Sequence, residues 1–302
     1  MIGCEKMRDS FSDYHPFINF LFFVSVIGFS LALTHPLAQC ISLICAIIYA
    51  VSINGKKSLQ FLLKFCLPTV LLTALINPVF NHKGATVLLS FSNGNPLTLE
   101  SILYGLSAGA MLMTTLMWFS SFNRVMTTDK FIFLFGKAIP SLSLVFSMTL
   151  RFVPNFKSQL ASVTEAQKSI GRDISSGSFV SRIKTAAVIF SVMITWALEN
   201  AIETADSMKS RGYGLKNRTF FAIYRFDKRD KHALILLCGC CSLIITGLFI
   251  SAFDFRYFPD IHSAELNITT LPFYFVYFML CITPVILNLK EKAKWKTSVS
   301  KM

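Results

Sequence analysis

Five long stretches of this chain contain no Asp, Glu, Lys or Arg: residues 14–55, 65–82, 101–123, 232–253 and 266–289. A hydrocarbon layer about 30 Å thick is crossed by about 20 helical residues, so four of these runs are each one bilayer long. The first is twice that length, and the polar break Thr34-His35-Pro36 divides it into spans near 17–34 and 38–54. The pattern predicts an all-α, polytopic membrane protein with about six transmembrane helices. Two shorter uncharged runs, 138–150 and 185–198, are in the length class of interfacial or buried helices and are not counted as spans. The first sixteen residues mix both charge signs and show no small-x-small cleavage site, so the first helix is expected to be an uncleaved anchor.

Composition agrees. Hydrophobic residues make up 53% and charged residues 15%, with a mean hydropathy of +0.57, which excludes an ordinary soluble domain and a disordered chain. The 8 Cys give no disulfide framework by spacing, and Cys238, Cys240 and Cys241 lie inside an apolar run where Cys packs as a small hydrophobe.

The net charge of +13 raises the question of a nucleic-acid surface, and the positions of the charges answer it. With six spans and the N-terminus inside, 26 of the 29 Lys and Arg fall on one face of the membrane. That asymmetry is the positive-inside signature and predicts both termini in the cytoplasm. The chain then divides into a four-helix transmembrane region (1–123), a cytoplasmic coupling domain (124–231), and two C-terminal transmembrane helices with a basic tail (232–302). The central segment is basic, and anionic headgroups account for much of that charge.

Within it the sequence reads as amphipathic helices separated by breakers. A short apolar face stops at Pro140. A helix expected from Pro154 carries Phe156, Leu160, Val163, Gln167 and Ile170 and stops at Gly171; another, from about Thr185, carries Ile194, Leu198, Ala201, Ala205 and Met208 and stops at Gly212. Gly at both ends fits a left-handed cap. The ends match, AQKSIGRD against SMKSRGYG, each with Lys-Ser, one residue and Gly. Two well-capped helices are the simplest account. Ala201 and Ala205, four apart, would let another helix cross closely.

The runs TLRFVPNF (149–156), AQKSIGRD (166–173), ALENAIETADSMKSRGYGLKNRT (197–219) and RFDKRD (225–230), with NPVFNHKG (77–84) and NGNPLTLESILYG (93–105), resemble the transmembrane T component of energy-coupling-factor transporters, which are ABC importers of vitamins and other micronutrients. The likeness covers nearly the whole chain. It implies a scaffold in the bacterial plasma membrane that links two cytoplasmic ABC ATPases to a substrate-binding membrane subunit. It also implies two crossed coupling helices, each ending in an Ala-Arg-Gly-like motif that docks on one ATPase. Ser210-Arg211-Gly212 matches the second motif. Ser169-Ile170-Gly171 matches the first except that Ile stands in place of Arg, with Arg172 two residues later as the candidate replacement. A guanidinium at a rigid tip can form bidentate bonds to a partner carboxylate, which an ammonium does not match.

No phosphate-binding loop G-x-x-x-x-G-K-[ST] occurs, so ATP is expected to be used by partners and no cofactor by this chain. The five His are scattered without metal-ligand spacing. The expected spans hold no acid, which disfavours an ion-coupled transporter. The alternative is a membrane-embedded enzyme acting on an acidic or phosphorylated lipid, but Glu199, Glu203 and Asp206 are spaced like a solvated helix face.

Overall fold

The first two helices begin the same way. In each a His-Pro pair places proline at the first helical position, where its missing N–H costs nothing, and the histidine Nδ1 accepts from the backbone N–H two residues on (His15 from Phe17, His35 from Leu37, both 3.3 Å). The computed structural model describes residues 9–81, 84–90, 96–138, 140–176, 178–213, 215, 224–259, 262–263 and 268–299. Lys6, Arg8, Lys83, Asn93 and Lys301, which entered the charge count or the resemblance, lie outside the described residues.

Among the described residues the helices run in order α1 (Pro16–Ala32), α2 (Pro36–Asn54), α3 (Lys56–Phe61), a π-helical turn (Leu62–Cys66) and α4 (Leu67–Phe80). A two-stranded antiparallel hairpin, β1 (Val87–Ser90) and β2 (Pro96–Thr98), leads into α5 (Leu99–Val125). Then come α6 (Thr128–Ala138), α7 (Pro140–Ser169), α8 (Phe179–Ser210), α9 (Lys228–Phe249), the short pair β3 (Phe255–Arg256) and β4 (His262–Ser263), and α10 (Leu271–Val299).

Six helices are long and apolar enough to cross a membrane: Pro36–Asn54, Lys56–Phe80, Leu99–Val125, Phe179–Ser210, Lys228–Phe249 and Leu271–Glu291. The protein is an all-α, multi-pass membrane protein. The set differs from the expected one at two places. With 17 residues, α1 is slightly shorter than the six. By contrast, α8 is 32 residues long, because the helix continues through Arg182 and Lys184 at one end of the uncharged run and through Glu199 to Ser210 at the other. The third span also starts earlier than expected. Lys64 sits inside the π turn of a continuous helix, its side chain exposed, rather than at a margin.

The chain forms two compact units, residues 1–131 with 224–302, and residues 132–223. In the first unit an aromatic core joins α1, α2 and α5. Trp118 is fully buried, with the rings of Phe22 at 5.9 Å, Tyr49 at 6.1 Å and Phe23 at 6.3 Å. Its indole N–H donates to Ser42 Oγ at 3.1 Å, and Ser42, Ser30 and Tyr277 continue the chain of hydroxyl bonds into α10. Buried polar groups are thereby paired across three further helices, as a low-dielectric interior demands.

A second polar cluster ties down the segment before α1. Tyr49 Oη donates to Asp9 at 3.0 Å, Asn288 Nδ2 also donates to Asp9, and the Phe11 N–H donates to Asn288 Oδ1 at 3.3 Å. Burial pushes the Asp9 carboxyl above its ordinary pKa, against the pull of the Asn288 and Tyr49 hydrogen bonds. Lys130, in the first turn of α6, is buried and donates to Ser12 O, Ser12 Oγ (2.8 Å) and Val125 O (3.0 Å). Burial lowers the pKa of its ammonium, with Asp13 and Asp9 opposing.

Candidate functional site: two matched helix ends

In the second unit α7 runs unbroken for 30 residues with Pro154 inside it, so the helix expected to start at Pro154 begins instead at Pro140. The α8 start moves in the same direction, from Thr185 to Phe179. Ser178 caps it, its side chain accepting from the Ser181 N–H at 3.4 Å. The S-x-x-S pattern at 178–181 was the available sequence signal.

The ends of the two helices share one backbone geometry. At the end of α7 the Arg172 N–H donates to Gln167 O and the Gly171 N–H to Lys168 O, both at 3.0 Å. At the end of α8 the Tyr213 N–H donates to Met208 O and the Gly212 N–H to Lys209 O, both at 3.1 Å. Each pair of bonds is a Schellman cap, closed by a glycine in the left-handed region, φ +80° at Gly171 and +76° at Gly212. A Cβ at Gly212 would also come within 3.0 Å of the Leu215 side chain.

The shared pattern of cap hydrogen bonds pairs the residues of the two ends. Ser169 matches Ser210, Ile170 matches Arg211, and Gly171 matches Gly212. Arg172 therefore corresponds to Tyr213, beyond the glycine, and is not the positional equivalent of Arg211. Its neighbour Asp173 accepts from the Ser175 N–H at 3.0 Å and Oγ at 2.7 Å, bonds that hold the Asp173 carboxyl below its ordinary pKa. Arg172 thus stands beside a fixed negative charge. Arg182 Nε donates to Ile174 O at 2.6 Å, fastening the connecting loop to the start of α8.

The side chains at the two tips differ in what they expose. Ile170 is 65% exposed, and Arg211 and Arg172 are exposed as well. The two serines bond back to their own helices, Ser169 Oγ donating to Glu165 O at 3.0 Å and Ser210 Oγ to Ser207 O at 2.8 Å. They shape the tips rather than offering free hydroxyls.

Contact between α7 and α8 is seen nearer the middle of α8 than the expected crossing residues. Phe156 meets Trp196 edge to face at 5.4 Å. Phe156, Leu160, Ile189, Met193 and Ala197 line an apolar cavity of about 470 Å³. Ala201 and Ala205 lie further along and are exposed. The cavity was not singled out from sequence, although Phe156 and Leu160 stood on the recognised stripe. Glu199, Glu203 and Asp206 are exposed along α8, the solvated face expected for them. Among the described residues no group of three or more His, Cys, Asp or Glu is placed to hold a metal ion.

A family model described as cobalt transport protein, CbiQ, matches residues 12–220, a range that contains both helix ends. The chain belongs to this family. Its similarity to energy-coupling factor transporter transmembrane proteins agrees. That of Staphylococcus aureus is 30% identical over 197 residues, covering 61% of this chain and 73% of the relative. That of Listeria innocua is 27% identical over 223 residues, 67% of this chain and 81% of the relative. That of Lactobacillus helveticus is 34% identical over a shorter stretch of 110 residues, 35% and 40% respectively. The protein is thus an energy-coupling membrane component of the energy-coupling-factor type, and its family is a transporter component rather than an enzyme family.

Proposed function

We propose that this T component couples two cytoplasmic ABC ATPases to a substrate-binding membrane subunit that imports a vitamin or other micronutrient. The observation that carries the reading is the pair of matched Schellman tips, each ending a helix of 30 or more residues and each exposing its cap side chain. Long helices fixed by hydrogen-bonded caps transmit a displacement, and two equivalent tips suit two ATPase subunits. ATP is bound and hydrolysed by those subunits, and substrate choice belongs to the membrane partner. Gentle-detergent purification of the tagged chain tests this: two nucleotide-binding subunits and a small membrane protein are expected to co-elute, and a chain that elutes alone with turnover on a lipid would replace this reading with the enzymatic one.

In the same reading both termini and both tips face the cytoplasm of a bacterial plasma membrane. Here α1, at about 26 Å, spans with the apolar helices, and α8 lies at the cytoplasmic side because charges occupy both of its ends. Single cysteines at positions 57, 137 and 292 in a Cys-free background are expected to react only from inside, and those at 93 and 263 only from outside. Outside labelling at position 137 would overturn this orientation.

A further inference from the structure

A cavity of about 470 Å³ opens between α1, α9, α10 and the segment before α1. Its lining changes character along its length. Arg229 and His232 lie in the first turns of α9, and the lining continues through Leu237 of α9 and Leu280 of α10, further from the charged helix ends. Arg229 and Lys231 are among the last charged residues before the uncharged run of α9, and Lys290 and Glu291 follow the apolar run of α10. The charged end therefore coincides with the point where two long apolar helices change from polar to apolar. From Arg229 to Leu237 the helix rises about 12 Å. That is close to the depth of one leaflet, about 15 Å.

We propose that this cavity holds an acyl chain of one anionic phospholipid, with the lipid phosphate bound at Arg229. The guanidinium is poised for it. One face lies 4.2 Å from the centre of the Tyr14 ring, and Nη2 donates to Asp13 O at 3.2 Å, contacts that orient the fork. Its ion pair with Glu291 is long, 3.8 Å, and both side chains are more than 40% exposed, so a phosphate oxygen at hydrogen-bond distance displaces a weak partner. His232, one turn on, is held by its Nδ1, which lies 2.7 Å from Lys228 O. Lys228, Lys231 and Lys290 are exposed on the neighbouring turns, and Asp227, Asp230 and Glu291 offset part of their charge. A zwitterionic lipid such as phosphatidylcholine would fill the apolar part and present the same phosphate, but its choline would bring a second cation up to Arg229.

The test uses the full chain reconstituted in nanodiscs of mixed phosphatidylglycerol and phosphatidylcholine, extracted into neutral detergent, with the retained lipid measured by mass spectrometry. Phosphatidylglycerol is expected to be retained about fivefold or more over phosphatidylcholine, the scale of one basic contact. The preference should vanish in Arg229→Gln and survive in Arg229→Lys. Ala233→Leu, which narrows the slot without touching the charges, should lower retention of both lipids. Equal retention of the two lipids by the wild type, or wild-type retention by Ala233→Leu, overturns the proposal. Displacement of the lipid by glycerol phosphate alone would also overturn it, because the site would then read a headgroup without a chain.

Discussion

Arg211→Ala is expected to release the ATPases from the purified complex and to stop uptake, while leaving the chain folded in the membrane. The residue caps α8 and is exposed, so the fold loses little with its side chain. In a docked complex the same guanidinium would lie in a desolvated interface, where removing one partner of a charge pair costs about 2–5 kcal/mol. At the upper end that weakens docking more than a thousandfold. Pull-down of the ATPases with the variant measures it. Retention at the wild-type level would mean that the arginine is a solvated helix-end charge, worth well under about 1 kcal/mol.

The first tip should respond differently. Ile170 occupies the cap position that Arg211 fills in the second tip, and Arg172 lies beyond the glycine next to the ionised Asp173. In the same pull-down Arg172→Ala is therefore expected to retain the ATPases. The two docking sites would then differ in chemistry, one reading a charge and the other an apolar side chain.

Much of this architecture is legible in the sequence, because bilayer thickness constrains it so strongly. Charge-free runs of about 20 residues located five of the long helices, and the Thr34-His35-Pro36 break separated the first two helices. The matched ends were readable because a left-handed cap selects glycine, whatever surrounds it. What escaped depended on tertiary support. Pro154 reads as a helix start, yet the surrounding turns carry the helix through it. Thr185 reads as a start because Arg182 and Lys184 break the apolar pattern, and a break in pattern is not a break in helix. The sequence already sets Gly171 between Arg172 and the missing arginine, and the cap hydrogen bonds add that Arg172 takes the position Tyr213 holds in the second tip.

Trp118→Ala separates scaffold integrity from docking. The side chain is fully buried among Phe22, Phe23 and Tyr49, and truncating a buried Trp to Ala costs roughly 3–5 kcal/mol. Lipid does not relieve that cost, since an internal void forfeits dispersion contacts whatever solvent lies outside. The lost hydrogen bond matters less, because Ser42 keeps its bond to Ser30 at 2.7 Å. Trp118→Phe should accordingly recover most of the loss even though it lacks the N–H. Thermal unfolding in detergent is expected to show a large fall in Tm for the Ala variant and a small one for Phe; equal falls would mean that the indole hydrogen bond, rather than ring packing, holds α5 against α2. Trp118 and the tip residue Arg211 belong to different compact units. The fraction of Trp118→Ala that remains folded is therefore expected to capture the ATPases normally, the opposite of Arg211→Ala, which should be stable and fail to capture them. Loss of both stability and capture in Trp118→Ala, measured per folded molecule, would show that the tips depend on the packing of the membrane core.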